Sequence, residues 1–282
     1  MKIVNETQLL VIFSMLAFSA NSLLCRIALK LALIDPGTFT AVRLISGAIT
    51  LWFVVLFRKN KHETKGSWGG ALALFIYAAG FSYAYVQLST GTGALVLFTT
   101  VQITMIGYGL IMGERLSGMK WVGFILAFIG LVALLLPKLQ SPSLASAGLM
   151  IGAGMAWGYY SLLGQRQGDP TLATAGNFLR AVPFALILLA LRRDEVVFSS
   201  NGIILAIVTG AVTSGIGYAV WYAVLPRLLA MHAATFQLSV PVLATIGGVA
   251  LLGEPFGAYA AICSATILAG IAIVIGIRKR DR

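Results

Sequence analysis

Residues 92–136 read TGALVLFTTVQITMIGYGLIMGERLSGMKWVGFILAFIGLVALLL, and a second version of this stretch occupies residues 232–276. A shift of 140 positions places Ala94 on Ala234, Ile106 on Ile246, Gly107 on Gly247, Gly113-Glu114 on Gly253-Glu254 and Gly130 on Gly270. Each version is an apolar run, a Gly-Glu, a short break and a second apolar run. A carboxylate is costly in hydrocarbon, so each Gly-Glu marks a return of the chain to a membrane surface. The rest of the sequence reads as one half built twice.

Composition agrees with a lipid environment. The 282 residues are 59% hydrophobic and 10% charged, with mean hydropathy +0.93. Soluble domains carry about 25% charged residues, so too little polar surface exists here to cover a soluble globule. Helices are the expected spans, because unpaired backbone groups are too costly in a bilayer. The net charge of +11 raises nucleic acid as a partner. The basic residues instead sit between apolar runs, where the positive-inside rule puts them, and the expected surroundings are the lipid bilayer. Cys25 and Cys263 lie within apolar runs without a CxxC spacing and read as buried thiols. No cofactor or metal is implied: no Walker sequence, catalytic triad spacing or ligand cluster is visible. The oligomeric state is not readable.

Windows of about 20 apolar residues give an all-α membrane protein with ten spans, at 9–29, 38–57, 69–88, 92–112, 121–137, 147–163, 172–191, 203–225, 233–252 and 258–277. Turn residues punctuate them at Asp35-Pro36-Gly37, Gly66-Ser67, Ser141-Pro142, Gly168-Asp169-Pro170 and Asn201-Gly202. The duplication extends to the first spans of each half, with AFSANSLL at residues 17–24 resembling AWGYYSLL at 156–163. That internal match argues against reading the first run as a signal peptide. The second spans match weakly, each with one arginine, Arg43 and Arg180. The halves are expected at 1–140 and 141–282.

With the N-terminus inside, thirteen Lys and Arg residues fall in inner segments and four in outer ones, Lys30, Lys138, Arg192 and Arg193. That bias predicts cytoplasmic N- and C-termini in the inner or plasma membrane. Five spans per half is an odd number, so the two repeats are expected to be inverted, with Glu114 at the inner face and Glu254 at the outer. Inverted repeats are a recurring plan of secondary transporters, with the substrate site near the midplane between them.

Ten spans, two inverted halves and a Gly-Glu between the last two spans of each half resemble the drug/metabolite transporter superfamily, in its EamA-domain branch. SVPVLATIGGVALLGEPFGAYAAICSATILAGIAIVI, residues 239–275, is the closer match, with Pro241 and Gly253-Glu254-Pro255 in their usual places. The first repeat departs, with Val101 where the proline would stand and Arg115 in the place of Pro255. The resemblance implies export or exchange of small metabolites, often amino acids, by alternating access. Aromatic amino acid exporters of bacterial inner membranes are the comparison it suggests. Nucleobases, sugar phosphates and cationic drugs are alternative cargoes. A membrane enzyme acting on lipid is an alternative class, though it would need a His/Asp/Glu cluster that the sequence lacks.

Candidate substrate-binding residues are polar or aromatic groups inside spans. Asn21 and Ser22 lie deep in the first span, as cavity lining or as helix-to-helix bonds. Their counterparts in the sixth span are Tyr160 and its neighbours, with Trp157 one turn earlier. Thr99, Thr100 and Gln102 cluster in the fourth span, and Gln237 and Ser239 in the ninth. Pro241 removes a backbone donor and frees the carbonyl of Gln237, which predicts a kink and makes Gln237 and Ser239 the strongest pair. Tyr77, Phe81 and Tyr85 stripe the third span, and Tyr218, Trp221 and Tyr222 the eighth, as core packing or as walls for a flat solute. Arg43 and Arg180 snorkel to a surface or meet an anionic group. All nine acids fall at termini or connections. Proton-driven pumps place such groups mid-membrane, so gradient-driven facilitation or exchange is expected. The last span of each half is nearly free of polar groups and is expected to face lipid or a second copy.

Overall fold

A computed structural model describes residues 6–57, 66–88, 90–113, 118–135, 144–164, 169–252 and 257–276. Among the described residues there is no strand, only one isolated antiparallel bridge between Ile34 and Phe198. The helices are α1 (Glu6–Lys30), α2 (Pro36–Leu56), α3 (Trp68–Gln87), α4 (Thr90–Ile111), α5 (Gly118–Leu135), α6 (Leu144–Gly164), α7 (Pro170–Leu191), α8 (Ser200–Val208), α9 (Gly217–Val224), α10 (Ala230–Gln237), α11 (Ser239–Leu252) and α12 (Ala258–Gly276). Helices α8 and α9 are joined without a turn, and α10 and α11 meet at Leu238. By length and composition, the segments Glu6–Lys30, Pro36–Leu56, Trp68–Gln87, Thr171–Leu191 and Ser200–Arg227 suffice to cross a membrane.

Caps explain several starts. The Asp35 carboxylate accepts from the Thr38 amide at 2.9 Å, and Pro36 occupies the first turn of α2. Asp169 caps α7 through Thr171 and Leu172, again with a proline following. Ser67 caps α3 through Gly70. Asn201-Gly202, expected as a turn, lies inside the first turn of α8. The cap there is Ser199, whose hydroxyl accepts from the Gly202 amide at 3.1 Å. Ser141-Pro142 and both Gly-Glu acids lie outside the described residues.

Two departures from regular α-helix shape the middle. The helix expected from 233 breaks at Leu238, whose amide bonds back to the Thr235 carbonyl at 3.1 Å. The missing donor of Pro241 accounts for the loss of the regular ladder. Between α8 and α9, Thr209–Ile216 is a π-helix, where a continuous α-helical span over 203–225 is expected from sequence. A Cβ on Gly210 would fall 2.1 Å from the Arg43 carbonyl and 2.0 Å from the Ser46 hydroxyl, so only glycine lets this stretch lie against α2.

Helices α5 and α12 pack on each other. A Cβ on Gly130 would meet the Cys263 carbonyl and Ile267, and a Cβ on Gly270 would meet the Gly123 carbonyl and Ala127. The 140-residue shift turns Gly130 into Gly270, Gly123 into Cys263 and Ala127 into Ile267. The contact is therefore reciprocal, as an axis of approximate two-fold symmetry requires. The final spans face one another first; Val122, Ile125, Ile129, Ile262 and Leu268 remain exposed on their outer sides. In α6, Gly154 and Gly158 admit Thr100 and Thr104 of α4. Gly148 and Gly152, at the same four-residue spacing, face open space. Both cysteines are buried and free.

At one end of the bundle, two connections are tied together. The Asp35 amide donates to the Val197 carbonyl at 2.7 Å, Asp35 Oδ2 accepts from the Val197 amide at 3.1 Å, and the Ser199 amide donates to the Leu33 carbonyl at 2.7 Å. Arg192 bonds Glu195 beside them, and that carboxylate holds the guanidinium further above the ordinary arginine range.

Candidate functional site

The interior of the bundle holds a narrow cavity of about 30 Å³ lined by Asn21, Ser22, Tyr77, Phe81, Trp157 and Gln237, with Phe18, Leu97, Phe98, Val101 and Val240. Six of the residues expected from sequence thus meet here, from α1, α3, α6 and α10. Trp157 Nε1 donates to Gln237 Oε1 at 2.6 Å, and Gln237 Nε2 donates to the Met105 sulfur at 3.2 Å. Gln237 ends α10, so the helix break delivers its amide to the cavity wall. Asn21, 3% exposed, accepts from the hydroxyls of Thr213 and Ser214, each at 3.4 Å. Those two hydroxyls come from the π-helical stretch. Ser22 donates to the Phe18 carbonyl at 3.2 Å.

Aromatic rings form one connected cluster around this space. Tyr77 packs on Trp157 with ring centroids 4.9 Å apart and on Phe81 at 5.7 Å. Trp157 packs on Tyr218 at 4.7 Å, and Tyr160 on Tyr222 at 4.7 Å. Tyr222 donates to the Tyr160 carbonyl at 2.6 Å, and Trp221 Nε1 to Ser161 Oγ at 3.3 Å. The Tyr160 hydroxyl is itself buried, beside Tyr222, Asn177 and Thr174. Tyr160, Tyr218, Trp221 and Tyr222 form a layer beside the cavity lining. Tyr85 continues the stripe, edge-on to Phe81 at 4.6 Å.

Other expected residues lie elsewhere. Gln102 ties α4 to α10, its Nε2 donating to the Ala234 carbonyl at 2.8 Å. Thr100 donates to the Val96 carbonyl at 2.8 Å and packs on Gly154; Thr99 is half-buried. Ser239 donates to the Phe236 carbonyl at 2.8 Å and lines a surface groove with Gln8, Met15 and Ile271. Pro241 is buried just past the break. The two arginines, equivalent in sequence, differ in place. Arg43 is 1% exposed, donates from Nε to Ser214 Oγ at 2.9 Å and from Nη2 to Tyr218 at 2.6 Å, and lies 5.4 Å from the Tyr77 ring centre. Arg180 borders a surface groove between α2 and α7, donates to the Gly176 carbonyl at 3.0 Å and lies 5.9 Å from the Trp68 ring centre.

The reading from sequence missed Phe18, Thr213 and Ser214. Phe18 had a signal: the internal repeat pairs it with Trp157, and their rings pack at 5.2 Å. The two hydroxyls had none, because an α-helical projection of residues 209–216 aims them differently from the π-helix.

The model of the EamA-like transporter family matches the chain twice, at residues 6–136 and 144–276. The chain belongs to the EamA-like transporter family. It is an all-helical, multi-pass membrane protein, and its family is one of transporters. An uncharacterised protein of Pseudomonas aeruginosa is 50% identical over 275 residues, covering 97% of this chain and 96% of that one. The threonine/homoserine exporter RhtA of Escherichia coli is 28% identical over 258 residues, covering 88% of this chain and 84% of its own. A Salmonella typhimurium protein named a probable amino-acid metabolite efflux pump is 26% identical over 209 residues, covering 68% and 70%. A crystal structure 18% identical in sequence shares the fold with a TM-score of 0.82 over 99% of this EamA chain and all of the other.

Proposed function

We propose that this protein is a secondary transporter that exports or exchanges small amphipathic metabolites, amino acids among them, by alternating access. The observation that carries this reading is the narrow interior cavity, where the aromatic faces of Tyr77, Phe81 and Trp157 stand beside the amide tips of Asn21 and Gln237. Such a wall holds an apolar side chain by contact and a polar head by hydrogen bonds. The names of two relatives, a threonine/homoserine exporter and an amino-acid metabolite efflux pump, support the same class of cargo.

In this reading the chain spans the inner membrane ten times, as two inverted halves at 1–140 and 141–282 with both termini cytoplasmic. The reciprocal Gly130 and Gly270 contacts and the two family matches support the pairing of halves. Single cysteines at positions 114 and 254 then label from opposite sides of the membrane; labelling from one side rejects the inversion.

Transport is facilitative. The described acids Glu6, Asp35, Asp169, Asp194 and Glu195 lie at helix ends or connections, and none lines the cavity to carry a coupled proton. The decisive experiment is a metabolite-efflux screen in cells overproducing the protein, repeated with Trp157→Ala and Gln237→Ala. Export of one or more amino acids that both variants abolish supports the reading; export unchanged in both variants rejects this site. Proteoliposome accumulation that depends on a pH gradient rejects the facilitative mode.

A further inference from the structure

Arg43 is a fully interior cation whose charge is not neutralised by the groups around it. Ser214 and Tyr218 accept two of its N–H groups as neutral hydroxyls, and Tyr77 adds a ring face and a further neutral hydroxyl, so no group around it carries a negative charge. Nη1 is buried without a hydrogen-bond partner. Among the described residues Arg43 makes no ion pair, and the ion pairs that do occur belong to Arg192, Arg193 and Arg227 at helix ends. An interior guanidinium left in this state is strongly unfavourable unless an anion completes it.

Its place indicates where that anion comes from. Tyr77, whose ring lies beneath the guanidinium, also lines the cavity. Ser214, which accepts from Arg43 Nε, donates to Asn21, and Asn21 lines the cavity as well. The cation therefore stands one side chain behind the wall, in a setting where salt and water screen little. Hydroxyl partners can turn toward a new acceptor without stranding a second charge, which a carboxylate partner could not do.

We infer that Arg43 is a specificity-determining residue: its charge selects solutes bearing a carboxylate, zwitterions and anions, over the corresponding amines. This rests on the transport reading above and names the part of the solute that the cavity recognises. Arg180 supplies the contrast. It sits at a surface groove and reaches a helix carbonyl and Trp68, so its charge serves the outside of the bundle.

The test is counterflow of labelled threonine and phenylalanine in proteoliposomes of the full chain, with threoninamide, phenylalaninamide and phenethylamine as competitors. The amides keep the amine and side chain while removing the carboxylate charge; phenethylamine lacks the carboxyl group altogether. The acids are expected to compete better than the amides by about tenfold or more, a modest electrostatic preference on the affinity scale. Arg43→Gln is expected to erase that ratio, Arg43→Lys to keep part of it, and Arg180→Gln to leave it unchanged. If Arg43→Gln does not fold, the wild-type ratio together with that of Arg43→Lys decides. Amides that compete as well as acids in the wild type overturn the inference, as does a ratio that survives Arg43→Gln or collapses equally in Arg180→Gln. Counterflow with equal competition sinks this inference alone; no counterflow of either amino acid counts against the transport reading and the inference together.

Discussion

The indole N–H of Trp157 meets the side-chain carbonyl of Gln237 at 2.6 Å, at the point where α10 stops. The bond joins the middle of α6 to a helix end, and both residues line the interior cavity. It fixes the Gln237 amide so that its nitrogen reaches the Met105 sulfur. Removing either partner leaves a buried polar group exposed to apolar walls.

Trp157→Phe keeps the ring and deletes the donor. Transport is expected to fall about tenfold, the effect of losing one buried hydrogen bond and stranding its acceptor. Gln237→Leu should behave alike. The double variant should be no worse than the singles, with a coupling of about 1–2 kcal/mol in a cycle built from counterflow rates. Additive losses would separate the two residues functionally.

Pro241→Ala restores the backbone donor that α11 lacks near its start. The amide at 241 is then expected to bond the Gln237 carbonyl and to exchange slowly with deuterium. Transport should drop while thermal stability holds or rises, because the straightened helix withdraws the Gln237 amide from the cavity. Unchanged transport with a protected amide would detach the break from function.

Gly270→Val is expected to destabilise the protein by about 1–3 kcal/mol, the usual cost of forcing extra volume into a packed contact. Its Cβ would lie 2.5 Å from the Gly123 carbonyl and 2.6 Å from the Ala127 amide. Gly152→Val is the control: nothing lies within 4 Å of its Cβ position. Thermal unfolding in detergent should lower the midpoint for the first variant and barely move it for the second.

Asp35→Ala removes the cap of α2 and the acceptor for the Val197 amide. A loss of about 1 kcal/mol is expected from the cap. Hydrogen exchange should quicken at Thr38, Val197 and Ser199 together, since the same short bridge holds them. Faster exchange at Thr38 alone would show that the two connections are held independently.

Much of the architecture was legible because lipid leaves the sequence few choices. Apolar runs, Pro and Asp at helix starts and the 140-residue repeat located the helices to within a few residues. The site was partly legible for a related reason: Asn21, Trp157 and Gln237 are polar tips in apolar surroundings, and burial drew them together. Repeat symmetry misled where local packing broke it. Arg43 and Arg180 share a place in the repeat, yet Gly210 and the π-helix bring Ser214 beside Arg43, while Arg180 borders a surface groove. Ser239 lay next to the break and turned the other way, because hydroxyls in helices commonly bond back to their own carbonyls.

The backbone-on-backbone seam between α5 and α12 has a mechanical consequence. Two rods keyed together through glycine at 123, 130 and 270 have no slack for sliding, so they serve as a keel rather than a moving part. In the proposed transport cycle, motion is left to the looser members, chiefly the rod interrupted at Leu238 and the one underwound between Thr209 and Ile216.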